Sequence, residues 1–305
     1  MIPEKLQPLF EEVQKRYTMP IEVVIDGPAS GVLTHAQSHQ ELLANDHLQI
    51  TVSDTTNVDY TLSHELLHMR FTAAGFPPLQ FHLASGDPDV DQQFFAVATA
   101  LYDAALHGQI KAWQQRLGVW DEVVEKQLTD GYVQTLGLDA PGLSVFRTLT
   151  ALDACVMIGT FGDWTTTAPE EAEAAQQLYM LLQDKPLDTP FAFRRAVVKL
   201  WRQFDNVLTQ HGYQATLNDE FATLPPVLSE RQLRLAVNQT YEIRHSAMRD
   251  RTTKHRAYVA QAKGDGQNVF VLPLQSESPE AFQDLYRRPL KEVLDQYQLD
   301  YTIRE

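Results

Sequence analysis

The sequence predicts a mainly helical α+β protein. A small N-terminal β-sheet packs on a helix carrying His64-Glu65-Leu66-Leu67-His68, followed by a helical body and a C-terminal β-hairpin/helix segment. Three observations predict this. Apolar residues recur at helical spacing through most of the chain from Tyr60 to His211. Two β-rich runs, Ile21-Glu-Val-Val-Ile25 and His47-Leu-Gln-Ile-Thr-Val-Ser53, precede the first of those helices. After Ala257 the pattern returns to two β-rich runs around a Gly-Asp-Gly turn.

The chain has 305 residues, enough for one large domain or two ordinary ones. The expected division is a metal-binding core over 1–110, a helical body over 111–251 and a small α+β segment over 252–305, which can also form one continuous domain. A hydrophobic content of 44% supports a sizeable core, and a net charge of -15 argues against nucleic acid and anionic membrane surfaces as partners. The single cysteine, Cys155, lies in the apolar run Leu152-Asp-Ala-Cys-Val-Met-Ile158 and reads as a buried core thiol. Met1-Ile-Pro-Glu-Lys-Leu6 is not a basic region leading into an apolar run, and no apolar span is long enough to cross a membrane, so a cytoplasmic protein is expected. The oligomeric state is open.

Taken in order, residues 3–17 read as an amphipathic helix with Leu6, Leu9, Phe10 and Val13 inward. Ile21–Ile25, Gly31–Ala36 and His47–Ser53 are expected strands. His35, His39 and His47 are expected as surface or strand histidines. The next helix has Asn57 or Asp59 as its cap, a stripe of Leu62, Leu66, Met69 and Ala73, and Gly75 with Pro77-Pro78 as its stop. Residues 75–90 read as a long loop. Helices are expected over Val90–His107, Ile110–Gln127, Leu143–Ile158 and Phe191–His211, with another opened by Thr167 as cap and Pro169 in its first turn. Ser229-Glu-Arg-Gln232 resembles a capping box for a helix running to about Met248. Arg244, Arg249, Arg251, Lys254, Arg256 and Lys263 reverse the local charge there, as a solvated helix end or as a basic wall for an acidic peptide. A hairpin of Ala257–Gln261 and Asn268–Leu272, a helix opened by Ser278-Pro279 and broken at Pro289, and a last strand at Tyr301–Ile303 complete the chain.

The chemistry concentrates in one stretch. Residues four apart on a helix lie on one face, so His64 and His68 can hold one zinc ion from the same side. Glu65 then stands where its carboxylate can take a proton from water on that ion. On the following helix, Asp103 and His107 are also one turn apart. Either can supply the third ligand while the other orients it, and Asp91 or Asp89 is the alternative.

The segment Tyr60–Phe71 resembles the zincin metallopeptidases, whose signature is H-E-x-x-H. The order of helix, small sheet and motif helix resembles the compact, gluzincin-like bacterial intracellular peptidases. The resemblance covers about residues 20 to 110. It implies a Zn2+ cofactor held by His64 and His68, Glu65 as general base, a peptide or protein substrate, and a sheet edge that binds extended substrate. Position 74 is alanine where the metzincin signature has a third histidine, which sets that subclass aside. The oxyanion donor is left open among His245, His255, Tyr241 and Tyr102. Two functions stand: a zinc metallopeptidase, and a non-enzymatic zinc-containing protein whose helical body binds a partner.

Overall fold

The computed structural model describes residues 2–137, 143–159, 168–273 and 278–304; the expected cap Thr167 lies outside them. The chain is a mainly helical α+β protein, and it divides into two compact units. The first takes Met1–Gly75 and Ala104–Met180, the second Phe76–Asp103 and Leu181–Glu305.

In the first unit a 3-10 turn, Glu4–Leu6, leads into α1, Gln7–Gln14, with Leu6, Leu9 and Val13 buried. β1 is Ile21–Ile25, β2 Ser38–Leu42 and β3 Leu48–Val52, in the spatial order β1-β3-β2. β1 pairs with β3 in parallel, Val23 opposite Ile50, and β2 pairs antiparallel with Gln40 opposite Ile50. β2 is therefore an edge strand. The expected strand at Gly31–Ala36 is not formed. That stretch is a loop ending in a 3-10 turn, His35–Gln37, because the Thr34 and Gln37 side chains close a reciprocal capping box. Such local side-chain bonds compete with a strand ladder.

α2, Val58–Ala73, lies on this sheet. The Asn57 side chain caps it by accepting from Tyr60 N at 3.1 Å. Gly75 beyond its end takes φ +86°, the left-handed conformation that only glycine adopts without strain. Leu62, Leu66, Leu67, Met69 and Phe71 are all buried. α1 is fastened across it by Tyr17 Oη donating to Met69 O at 2.9 Å and by Arg70 with Glu12 at 3.0 Å.

α3 runs unbroken from Pro88 to Leu117, so the expected limit between helices near residue 110 falls inside it. The break comes at Gly118, φ +67°, and α4, Glu122–Leu136, starts after Asp121, whose side chain caps it. α5, Val145–Ile158, packs on α4, and α6 is Pro169–Gln183. Cys155 is a buried thiol, pushed up to about 11 by burial with Asp153 adding to it. That suits a core residue and not a nucleophile.

The second unit holds β4, Leu83–Ala84, β5, Val227–Leu228, and β6, Tyr241–Asp250. β7 is Arg256–Ala262, β8 Asn268–Leu272 and β9 Thr302–Ile303. The order β4-β6-β7-β8 is antiparallel throughout, and β5 pairs with β9 in parallel. The expected helix from Ser229 to Met248 does not form over that length. Its capping box forms, but the helix stops at Leu233, and the sequence from Tyr241 pairs with β7 instead. Non-local strand pairing overrides the local pattern. The basic residues expected on a helix end thus lie on β6, β7 and the turn between them, except Lys263, which follows β7. The expected C-terminal hairpin is β7–β8, joined to β6 and not to the N-terminal sheet. α7, Pro190–Gln210, carries the buried Phe193, Trp201 and Phe204 and is capped by Thr189. α8, Pro279–Arg287, and α9, Leu290–Tyr297, follow Ser278 and Pro289 respectively. Among the described residues no helix is long and apolar enough to cross a membrane.

Candidate metal centre

Four imidazoles converge in the first unit. His64 and His68 come from α2, His107 from α3 and His35 from the 3-10 turn before β2. The Nε2 atoms of His64 and His68 are 3.1 Å apart. Two nitrogens bound at 2.0–2.1 Å to one tetrahedral ion would stand ~3.3 Å apart. The ring of His107 is 4.7 Å from that of His64 and 5.4 Å from that of His68, centre to centre. His35 stacks on His64 at 4.5 Å and meets His107 edge-on at 4.2 Å.

Each element is fixed by side chains nearby. Gln114 is fully buried on α3, seven residues after His107 and so on the same face. Its Nε2 donates to Tyr60 O and Ser63 Oγ, both at 3.1 Å, which docks α3 on α2 beside the motif. The turn bearing His35 rests on α4. Leu33 N donates to Gln127 O at 3.1 Å, and a Cβ at Gly131 would lie 2.1 Å from Leu33 O. Only a residue without a side chain lets the two backbones approach this closely. Gly131→Ala is expected to cost about 1–3 kcal/mol through overpacking and to displace the His35 turn. Chemical denaturation of the two proteins checks this, and equal midpoints would refute it.

Asp153 on α5 closes the group. Its Oδ1 lies 2.5 Å from His107 Nδ1, and its Oδ2 lies 3.0 Å from His35 Nδ1 and accepts from Tyr132 Oη at 2.6 Å. Burial works against its charge, but His107 and His35 beside it hold the carboxyl well below the usual carboxylate range. His64 is held well below the usual imidazole value of 6.5, first by burial and then by His35, His107 and His68. His68 is lowered by burial and then by His107 and His35. Both are thus neutral at pH 7 with lone pairs available to a cation.

A histidine whose folded value is lowered contributes stability that is complete above 6.5 and is lost as pH falls below it, because the unfolded chain takes up the proton first. Metal-free protein is expected to lose stability steadily from pH 6.5 downward. Denaturant titrations at pH 7.5, 6.5 and 5.5 measure it, and a flat profile would count against buried neutral imidazoles.

Glu65 is buried, and its carboxylate is held from β2. Oε1 accepts from Ser38 Oγ and Oε2 from Gln40 Nε2, both at 2.7 Å. It stands outside the two groups whose ligand atoms lie within 4.8 Å of one another, His35-His64-His107 and His68-Asp103-His107.

No known protein family, curated protein or solved structure matches this chain. The donor set could hold a divalent transition-metal cation, since imidazole nitrogen is a ligand common to several of them. His64 Nδ1 is also a buried polar atom without a hydrogen-bond partner among the described residues. Of the positions expected to serve the site, His64, His68 and His107 are brought together. Asp103 stands one turn before His107 on α3, and the Asp153 carboxylate bonds the His107 ring. Asp91 Oδ1 accepts from Ser85 N at 2.7 Å, Asp89 is exposed, and neither belongs to either group of convergent ligand atoms. His39 is exposed on β2 and His47, just before β3, pairs with Glu22 on β1, whereas His35, expected as a surface or strand histidine, is in the cluster. Tyr102, Tyr241, His245 and His255 all belong to the second unit. Sequence reasoning missed Asp153; the signal that points to it is a lone acid in the apolar run around Cys155, because a buried charge needs partners. Nothing in the sequence marked Tyr132.

Proposed function

We propose that the protein is a zinc-dependent metallopeptidase that hydrolyses peptide bonds, with His64, His68 and His107 holding the ion. The convergence of these three imidazole rings, with the buried Glu65 beside His64 in sequence, carries the reading. Zinc bound there would activate water and polarise the scissile carbonyl. Asp103 is a further candidate ligand, one turn from His107. Glu65 takes the role of proton acceptor and carries the proton to the leaving amine. Ser38 and Gln40 occupy one acceptor site on each of its oxygens, and each oxygen keeps a second lone pair for that work. β2 adjoins α2 as an edge strand, which supports binding of an extended peptide or protein by strand addition.

A second reading is a non-enzymatic zinc protein. It is favoured by the fourth imidazole, since four protein ligands would leave no open position for water. Metal analysis and peptide cleavage decide between the two. Expected are one zinc per chain and cleavage of a mixed peptide library that stops on chelation and returns with zinc. Zinc uptake without any cleavage would overturn the peptidase in favour of the second reading, and absence of uptake would overturn both.

A further inference from the structure

We infer that Asp153 is the positioning residue of this centre, one buried carboxylate that sets the ring orientation and tautomer of His107 and His35 together. The inference rests on the metal-centre reading for its consequence, but its geometry stands without metal. Each Asp153 oxygen faces one imidazole Nδ1, at 2.5 Å for His107 and 3.0 Å for His35. A carboxylate can only accept, so both Nδ1 atoms must carry a proton, and in a neutral ring that leaves the lone pair on Nε2. Tyr132 donates to the same carboxylate at 2.6 Å and keeps it from rotating. The carboxylate comes from α5, the imidazoles from α3 and the 3-10 turn, and the hydroxyl from α4, so one group ties four elements to one geometry. Partners of this kind on a ligand's second nitrogen typically change metal affinity 10–100-fold. His35 thereby gains a place in the centre: it is held by the group that holds His107, and it stacks on His64.

Asp153→Asn, Asp153→Glu and Tyr132→Phe test this in the full-length protein, each checked for folding by circular dichroism. The first readout is Zn2+ affinity by competition with a chromogenic chelator. The second is the tautomer of each histidine in metal-free protein, from long-range proton–nitrogen NMR spectra. Asp153→Asn is expected to weaken zinc about 10–100-fold and to change the His107 and His35 signals together while those of His39 and His47 stay put. Asp153→Glu should recover part of the affinity, and Tyr132→Phe should weaken zinc by a smaller factor. Unchanged affinity and unchanged imidazole signals in a folded Asp153→Asn protein would overturn the inference, as would a Tyr132→Phe protein identical to wild type in both readouts if Asp153→Asn does not fold. A wild type that takes up no zinc defeats the metal-centre reading alone, because the tautomer shifts are read without metal.

Discussion

His64→Ala is expected to weaken zinc binding by about two to three orders of magnitude. A structural zinc site yields ~10–16 kcal/mol from four ligands, so one ligand carries ~3 kcal/mol, and each 1.4 kcal/mol is tenfold. Thermal stability adds a second signature. A metal at about 100 times its dissociation constant stabilises the native state by ~2.7 kcal/mol. The wild-type melting midpoint should therefore rise by several degrees when zinc is added, and that of His64→Ala should stay where it is. The substitution also removes a fully packed ring, so the variant starts from a lower midpoint, and the zinc response is the quantity to compare. Equal responses in the two proteins would mean that the imidazole cluster is not the binding site.

The second large effect is on turnover. Glu65→Gln keeps the shape of the side chain, and its carbonyl oxygen can still accept from Ser38 or Gln40. What it loses is the capacity to take a proton. General-base groups contribute typically 10²–10⁴-fold, so peptide cleavage should fall by about that factor while zinc content is unchanged. Both quantities are measured on the same preparation. Cleavage at the wild-type rate would show that the proton goes to another group, and His35, already in the cluster, would be the first to examine.

The readable parts of this fold are those set by neighbours in sequence. α2 carries its cap, stripe and stop within one stretch from Asn57 to Pro78, and its boundaries fall where those signals put them. His107 was legible for a similar reason, being one turn from Asp103 on a helix of regular pattern. The illegible parts depend on distant contacts. β6 reads locally as a helix and becomes a strand because β7 pairs with it. His35 sits in the cluster because α4 lets its turn approach at Gly131, a contact nearly a hundred residues away in sequence. Asp153 is a charge in an apolar helix, a signal the sequence does carry, but its three partners come from three other segments.

Ser38 and Gln40 reach Glu65 from alternate positions of β2, so they share one face of the strand, and His39 and Glu41 share the other. A slip of one residue against β3 would exchange these faces. It would withdraw both donors from Glu65 and turn Glu41 or His39 toward it. A second carboxylate beside a buried one is strongly disfavoured. The acid at position 65 therefore proofreads the alignment of the sheet. A short edge strand with only five residues to hold it in register is locked by the same group that the proposed chemistry requires, so under that proposal a chain in the wrong register also loses its proton acceptor.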